Sequence, residues 1–440
     1  MIKTNNRILQ LLPALIPACI SVSGNSQNTE MIIREFNPVS LEIKEMIKQE
    51  EFKNASFGFY AVDISTDDVL VEHNPDLSLI PASVMKTVTT AVALEMLGEN
   101  YRFSTSVEYD GTIDSAGTLH GNVYIRGGGD PALGSERFKS SYYEPCFLDR
   151  WADSIKKRGI DSIAGAIVGD ASIYTDEITP PTWIWGDIGN HYGASPCGLS
   201  IYDNNYEITY RSGTKNGDTT YIKSIRPEIP GLIVENYVRA SDINKDEAYI
   251  FGSVYSGERR ISGTIPKGKN EFIVKGSVPD PALLAASELN GKLKEEKIGV
   301  ALPPSTLRKM KTEGKYTGNK RTCVCTTRSP SLKYIVELTN KHSINLYAEH
   351  LLYQVGCRKY PQGGTPEGSK AAEAFLESIG IDVHGLYINY GSGLSRYNAI
   401  TARQITGLLV YMKKKSPAFG VFYGSLPVAG KSGTLKSMLD

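Results

Sequence analysis

The feature that most constrains this chain is a fifteen-residue segment, Ser83–Leu97, that contains neither glycine nor proline and is apolar on nearly every side. Pro81 precedes the segment and Gly98 follows it, so both ends carry residues that are typical of helix boundaries. A helix that is apolar on most of its faces is stable only when other elements surround it. The sequence therefore predicts a globular domain built around a buried helix.

This helix also carries a serine and a lysine that could act together. Ser83 and Lys86 are three residues apart, which places both side chains on one face of a helix. A serine hydroxyl needs a base to become a nucleophile, and a lysine in apolar surroundings can lose its proton and serve as that base. The same spacing occurs at Ser154–Lys157 and Ser212–Lys215, but these lie in polar stretches and are interpreted as solvated surface residues.

Two further polar motifs could complete a site, and each has an ordinary structural interpretation as well. Ser343-Ile344-Asn345 lies between two helical segments, where a hydroxyl and an amide could shuttle a proton and hold a substrate amide, or simply cap a helix. Lys431-Ser432-Gly433-Thr434 suits an edge strand along which an extended substrate lies, or a loop with a solvated lysine.

The order of these three motifs is more informative than any one of them. Ser-x-x-Lys on a buried helix, then Ser-x-Asn, then Lys-Ser/Thr-Gly is the signature of penicillin-recognising serine acyltransferases. The chain resembles one branch of that group, the D-alanyl-D-alanine carboxypeptidase/endopeptidase family, or class C low-molecular-mass penicillin-binding proteins. The roughly 260 residues between the first two motifs fit this branch, which carries inserted domains there. Four further stretches are similar to the family, at residues 122–131, 192–196, 278–282 and 391–396.

The resemblance implies catalytic roles for the first two motifs. Ser83 would attack the carbonyl between the last two D-alanines of a peptidoglycan stem peptide or cross-link, and Lys86 would take its proton. Ser343 would relay the proton to the leaving amine, while Asn345 would hold a substrate amide. The backbone N–H groups of Ser83 and Thr434 would form an oxyanion hole. Water would then hydrolyse the acyl-enzyme, and β-lactams should acylate the same serine.

The resemblance also implies a role for the C-terminal motif and shows departures from the family. Lys431 and Ser432 would grip the terminal carboxylate of the substrate. Ile344 stands where a polar residue such as Asp is usual, and Tyr390 stands where Asp is usual. Family members continue after this motif with further strands, whereas only Leu435–Asp440 follow here. We therefore expect the C-terminal strands of the sheet to be missing.

The expected architecture is α/β, with two parts. The resemblance implies a penicillin-recognising serine transpeptidase-like domain, an antiparallel sheet flanked by helices, formed discontinuously by residues 25–97 and 326–440. Short alternating runs split by Gly-rich turns predict that residues 98–325 form an inserted β-rich region.

Residues 1–24 are predicted to be an export signal. Lys3 and Arg7 precede the apolar stretch Ile8–Ile20, which is too short to span a bilayer. No later segment has the length of a membrane span, so we expect a periplasmic chain without one. A lipid anchor at Cys19 remains an alternative to simple removal of the signal.

Charge and the remaining residues exclude several function classes. Lys plus Arg number 48 and Asp plus Glu number 48, so the basic excess that nucleic-acid binding needs is lacking. Cys323 and Cys325 could form half of a metal site, but no second pair has zinc spacing and no His-Glu-x-x-His occurs. We expect no metal and no organic cofactor. A Ser-His-Asp hydrolase is disfavoured because no Gly-x-Ser-x-Gly elbow stands out.

Two alternatives within this reading stay open. A β-lactamase of class A deacylates with a Glu placed four residues before an Asn, and the glutamates between the second and third motifs lack that spacing. These residues are Glu349, Glu367, Glu373 and Glu377. The other alternative is a catalytically silent envelope protein that keeps the penicillin-binding pocket but does not turn over.

Overall fold

A computed structural model describes residues 38–138, 146–179 and 181–438. The predicted export signal and Cys19 lie outside the described residues, so both stay predictions. Within the described ranges, no helix combines the length and apolar character needed to cross a membrane.

The described residues form eleven α-helices, joined by short 3₁₀ turns. In chain order they are α1 Pro38–Met46, α2 Met85–Leu97, α3 Phe147–Lys157, α4 Trp185–Ile188, α5 Pro281–Glu295, α6 Leu307–Thr312, α7 Leu332–His342, α8 Asn345–Gly356, α9 Thr365–Ser378, α10 Ala402–Lys415 and α11 Phe419–Ser425.

Seventeen strands are described, and most of them lie between residues 104 and 328. They are β1 Phe59–Val62, β2 Val69–His73, β3 Ser104–Tyr109, β4 Thr112–Ile113, β5 Thr118–His120, β6 Val123–Arg126, β7 Ser162–Ile163, β8 Ile167–Asp170, β9 Asn205–Ser212, β10 Thr220–Arg226, β11 Ile233–Ser241, β12 Glu247–Phe251, β13 Glu258–Pro266, β14 Phe272–Ser277, β15 Gly299–Val300, β16 Ser305–Thr306 and β17 Thr322–Arg328.

The helix-rich part has its own core, with α2 inside it. Met85, Val88, Ala91 and Val92 are at most 2% exposed, and α7, α8, α9, α10 and α11 pack around them. The predicted buried helix is therefore confirmed, with one correction at its start. Ala82–Val84 form a 3₁₀ turn, in which Ala82 has a positive φ of 45°, and the α-helix begins at Met85.

The middle of the chain has a second core, formed by sheets and two helices. A five-stranded sheet of order β16-β8-β6-β3-β17 pairs β6 with β8 in parallel and β3 with β6 and β17 in antiparallel. Three smaller sheets have the orders β15-β7-β5-β4, β10-β9-β14 and β11-β13-β12. Trp151 of α3 and Leu289 of α5 are fully buried in this core. A β-rich middle is thus present, while the boundaries at residues 98 and 325 stay a prediction.

The sheet of the helix-rich part consists of two described strands. β1 and β2 pair in antiparallel, and α10 packs against β1. Thr406 of α10 donates a hydrogen bond from Oγ1 to the Tyr60 carbonyl at 3.1 Å. This small sheet lies at the edge of the helical core, whose buried centre is α2.

Candidate active site

The start of α2 presents a serine to solvent and buries a lysine directly beneath it. Ser83 lies in the 3₁₀ turn and is exposed, whereas Lys86, in the first turn of α2, is only 2% exposed. Lys86 Nζ lies 3.1 Å from Ser83 Oγ. The three-residue spacing therefore produces the contact that the sequence predicts, with the hydroxyl accessible and the amine shielded.

The Lys86 amine has two other partners from distant parts of the chain. Nζ donates to Asn345 Oδ1 at 2.7 Å and to the Ser392 carbonyl at 2.7 Å. Burial lowers the pKa of Lys86 to about 8, and the negative charge of Glu349 opposes that shift. A minority of the amine is therefore neutral near physiological pH, a much larger share than for an exposed lysine, and a neutral amine has a lone pair that can accept the Ser83 proton.

The second motif lies in the sharp turn between α7 and α8. Ser343 closes α7 in the left-handed conformation, at φ 54°, and its Oγ donates to Ser83 Oγ at 2.9 Å. Asn345 opens α8, and the start of that helix has no side-chain cap. Both side chains of the motif thus face Ser83 and Lys86, which disfavours the helix-cap interpretation.

The Asn345 amide joins the site to the middle of the chain. Its Oδ1 accepts from Lys86, and its Nδ2 donates to the Tyr192 carbonyl at 2.8 Å. Tyr192 belongs to the 3₁₀ turn His191–Gly193. Its segment was noted above as similar to the family, but its role was not predicted, because the contact uses a backbone carbonyl that any residue type supplies.

A glycine-rich loop, residues 391–393, lies directly beneath Lys86. Gly393 has a φ of 80°, and a Cβ at this position would collide with the Ala82 carbonyl. Thr89 Oγ1 donates to the Gly391 carbonyl at 2.7 Å, which ties the same loop to α2. The loop therefore lies directly against the turn that carries Ser83, and only glycine fits at this close approach.

A buried carboxylate of α8 holds this loop from the other side. Glu349 is 0% exposed and accepts from the backbone N–H of Gly391 at 3.0 Å and of Ser392 at 2.9 Å. From the sequence, Glu349 is a candidate only for deacylation, and it lacks the spacing to an Asn that this role requires. Its position four residues after Asn345, on the same face of α8, was the available signal.

The third motif lies in a different conformation from the one predicted. Its residues do not form an edge strand: Gly433–Leu435 is a 3₁₀ turn, and Lys431 and Thr434 are exposed. Ser432 bonds locally, with its N–H donating to the Val428 carbonyl at 2.9 Å and its Oγ accepting from Val428 N–H at 3.0 Å.

This turn packs on the end of α7. Gly433 has a φ of 62° and lies against the Lys341 carbonyl. Among the hydrogen bonds of the described residues, none joins Lys431, Ser432 or Thr434 to Ser83. The prediction of an edge strand is therefore wrong here, because the backbone groups of this segment find their partners within the turn.

The donor set of the site is that of an organic acid–base centre. Its polar groups are hydroxyls, an amine, an amide and backbone carbonyls. Across the described ranges, no group of three or more His, Cys, Asp or Glu residues is arranged to hold a metal ion.

Comparisons with known proteins give a consistent result. The sequence profile of the D-Ala-D-Ala carboxypeptidase 3 (S13) family matches residues 39–440. The chain is 26% identical over 411 residues to a D-alanyl-D-alanine carboxypeptidase of Actinomadura sp. strain R39, covering 89% of this chain and 70% of the relative. It is 24% identical over 386 residues to the D-alanyl-D-alanine carboxypeptidase DacB of Haemophilus influenzae, covering 87% and 76%. The crystal structure of penicillin binding protein 4 from Haemophilus influenzae has a similar fold, with a TM-score of 0.71, 22% identity and coverage of 86% of this chain and 80% of that one.

Proposed function

The chain belongs to the D-Ala-D-Ala carboxypeptidase 3 (S13) family, and from this premise we propose that Ser83 is the nucleophile with which it cleaves the bond between the two terminal D-alanines of peptidoglycan stem peptides. The observation that carries the proposal is one hydrogen-bonded row of side chains. Ser343 contacts Ser83 at 2.9 Å, and Lys86 contacts Ser83 at 3.1 Å. An exposed hydroxyl between a buried amine and a second hydroxyl is what acyl transfer with proton relay requires.

The proposed acylation step uses each of these groups once. Ser83 Oγ bonds to the carbonyl carbon of the penultimate D-alanine, and neutral Lys86 takes the hydroxyl proton. The C–N bond then breaks: Ser343 gives its hydroxyl proton to the leaving amine of the terminal D-alanine and takes the proton held by Lys86 in exchange, which returns Lys86 to its neutral form. Asn345 orients Lys86 and offers its remaining amide hydrogen to the substrate backbone.

Deacylation and inhibition follow from the same ester. Water attacks the acyl-enzyme on Ser83 and releases the shortened peptide, which regenerates the free hydroxyl. A β-lactam presents a strained amide to the same hydroxyl, so we propose that it acylates Ser83 as well. Cross-linked peptides carry the same type of bond, so endopeptidase and carboxypeptidase activity would share one site.

The third motif needs a change of conformation to take part. We propose that Lys431 and Ser432 bind the terminal carboxylate of the substrate and that the Thr434 N–H faces the developing oxyanion. In the turn described above, Ser432 is bonded to Val428. The proposal therefore requires this segment to leave its local hydrogen bonds when substrate binds.

The place of action is part of the same proposal. Because the predicted substrate is a component of the cell wall, we propose that residues 1–24 direct the chain out of the cytoplasm and that it works in the periplasm.

One observation favours a second function. The third motif packs on α7 and is not bonded to the Ser83 site. A protein fixed in that arrangement would bind penicillin and peptides weakly and would not turn over, which is the catalytically silent alternative.

The test is covalent labelling with a fluorescent penicillin. We expect the wild type to become labelled, the label to map to the peptide that contains Ser83 by mass spectrometry, and Ser83→Ala to lose labelling by at least about 10⁴-fold. A folded wild-type chain that stays unlabelled, or a label on another serine, would refute the proposed nucleophile.

A further inference from the structure

Glu349 occupies an unusual position for a charged side chain. It lies on α8 four residues after Asn345, is 0% exposed and has no Lys or Arg within salt-bridge distance in the described residues. Its two carboxylate oxygens instead accept from two consecutive backbone N–H groups, those of Gly391 and Ser392. Burial raises the pKa of Glu349, and the hydrogen bonds from Ser392 and Gly391 and the charge of Lys86 oppose that rise and favour the carboxylate form. A buried carboxylate is costly unless hydrogen bonds compensate it, so a specific use for this charge is indicated.

The two bonded amides belong to the loop that holds the proposed catalytic base. The Ser392 carbonyl accepts from Lys86 Nζ at 2.7 Å, and the Gly391 carbonyl accepts from Thr89 Oγ1 at 2.7 Å. The N–H groups of Gly391 and Ser392 are therefore hydrogen-bonded to Glu349, and the carbonyl groups of the same two residues are hydrogen-bonded to side chains of α2. Removing the carboxylate would leave two buried N–H groups without an acceptor, which is unfavourable.

The same carboxylate acts on Lys86 through its charge. Burial lowers the pKa of Lys86 to about 8, and Glu349 raises it. The other groups that face Lys86 in the described structure are neutral: Ser83, Asn345 and the Ser392 carbonyl. From the neighbouring α7, the neutral Asn340 faces Thr90 of α2, whereas Lys341 pairs with Glu337.

We propose that Glu349 is a positioning residue of this active site, which fixes the Gly391–Ser392 backbone against Lys86 and sets the proton affinity of that lysine. The inference rests on the proposed function, because it assigns Lys86 as the base. Glu349 does not touch the substrate, since it is fully buried beneath the loop.

The proposal separates two effects that different substitutions can isolate. Glu349→Gln removes the charge and places an NH₂ group against one of the two loop amides. Glu349→Asp keeps the charge and shortens the reach to the loop by one methylene. Glu349→Gln alters both the electrostatic effect on Lys86 and the position of the Gly391–Ser392 backbone. Glu349→Asp alters mainly the position of that backbone.

The experiment measures the second-order rate of penicillin acylation from about pH 5 to about pH 10. The wild-type rate should rise with pH as Lys86 loses its proton. In Glu349→Gln we expect this rise to move to lower pH by about one unit, because an opposite charge at close range favours the ammonium form and has been removed. The plateau rate should fall about 10-fold, because the loop no longer holds Lys86 in place.

Glu349→Asp tests the loop by itself. We expect its acylation rate to rise over the same pH range as that of the wild type, while its plateau rate stays about 10-fold below the wild-type plateau. A purely structural carboxylate would not move the pH of the rise in either variant, whatever it did to stability.

The matched control is Glu95→Gln on the same helix as Lys86. Glu95 lies in the last turn of α2 and accepts from Tyr411 Oη at 2.9 Å and from Ser416 Oγ, so it too is a carboxylate with two donors. We expect this variant to lose thermal stability while its acylation rate rises over the same pH range as that of the wild type.

The outcomes are distinguishable from those of the proposed function. If the wild type is not acylated, the proposed function fails. If the wild type is acylated and folded Glu349→Gln shows the wild-type pH profile, the inference is overturned. If Glu349→Gln does not fold, Glu349→Asp is the deciding variant. A plateau acylation rate equal to that of the wild type in Glu349→Asp overturns the proposal that Glu349 fixes the Gly391–Ser392 backbone.

Discussion

The Ser83 cluster and the C-terminal Lys-Ser-Gly-Thr segment are held in opposite ways. In the cluster, Lys86 is buried and bonds to residues 259 and 306 positions away along the chain. In the C-terminal segment, Lys431 is exposed, and Ser432 bonds to Val428 within one turn. The first is a product of tertiary packing, whereas the second is satisfied by its own neighbours.

This difference suits the two regions to different tasks, proton transfer in the Ser83 cluster and substrate binding in the C-terminal segment. Groups that move protons must be held within hydrogen-bond reach of each other, and the packed helices α2, α7 and α8 provide that. A group that binds a carboxylate can be supplied by a segment that rearranges on binding, since the binding energy of the substrate can offset the cost. We therefore propose that the acylating half of the site is preassembled and that the carboxylate-binding half is not.

The largest effect should come from removing the base of the preassembled half. Lys86→Met keeps the length and apolar stem of the side chain, so we expect the helix to stay folded while penicillin acylation slows about 10³-fold, because general-base catalysis typically contributes 10²–10⁴-fold. Stopped-flow fluorescence would measure the rate. Lys414→Met, which removes an exposed lysine paired with Asp67, is the control and should acylate at the wild-type rate. A loss below about 10-fold in Lys86→Met would place the base elsewhere.

The next effect should come from the close contact beneath Ser83. Gly393→Ala combines a positive φ of 80° with a collision against the Ala82 carbonyl, so we expect a loss of about 2–3 kcal/mol in the free energy of unfolding. Gly380 has a similar φ of 88° with open space around it. Gly380→Ala is thus the matched control and should lose about 1 kcal/mol. Equal losses in chemical denaturation would mean that the contact with Ala82 does not matter.

The smallest effect should come from the C-terminal segment. Lys431→Ala removes one charged contact to the substrate carboxylate from an exposed site, so we expect KM for a D-Ala-D-Ala peptide to rise about 10-fold with kcat nearly unchanged. Lys436→Ala, a few residues further along, should change neither value. An unchanged KM in Lys431→Ala would mean that this lysine does not bind the substrate carboxylate and that the segment stays in its turn.

The same contrast explains what the sequence could predict. The contact between Ser83 and Lys86 depends on helical spacing alone, so it follows from local sequence. The partners that reach the site through backbone atoms, Tyr192 and Ser392, carry no side-chain signal and were not assigned. Glu349 was visible as a residue, but its partners are amides that lie more than forty positions further along the chain.

The wrong prediction has a related cause. An edge strand exists only where a neighbouring strand offers its backbone groups, and sequence propensity does not report that neighbour. In the described structure, the backbone of the C-terminal segment closes on itself between Val428 and Leu435. By contrast, β1 and β2 pair with each other, because the short turn between them brings the partner strand close in sequence.

The most direct test of the account is the release of D-alanine from a stem pentapeptide ending in D-Ala-D-Ala, followed in time at the same enzyme concentration for the wild type and Ser83→Ala. The account predicts steady release by the wild type, several turnovers per enzyme molecule, and no release by Ser83→Ala. Penicillin acylation of Ser83 without release of D-alanine would contradict it. In that case the preassembled half would react with penicillin, but the protein would not cleave the peptide.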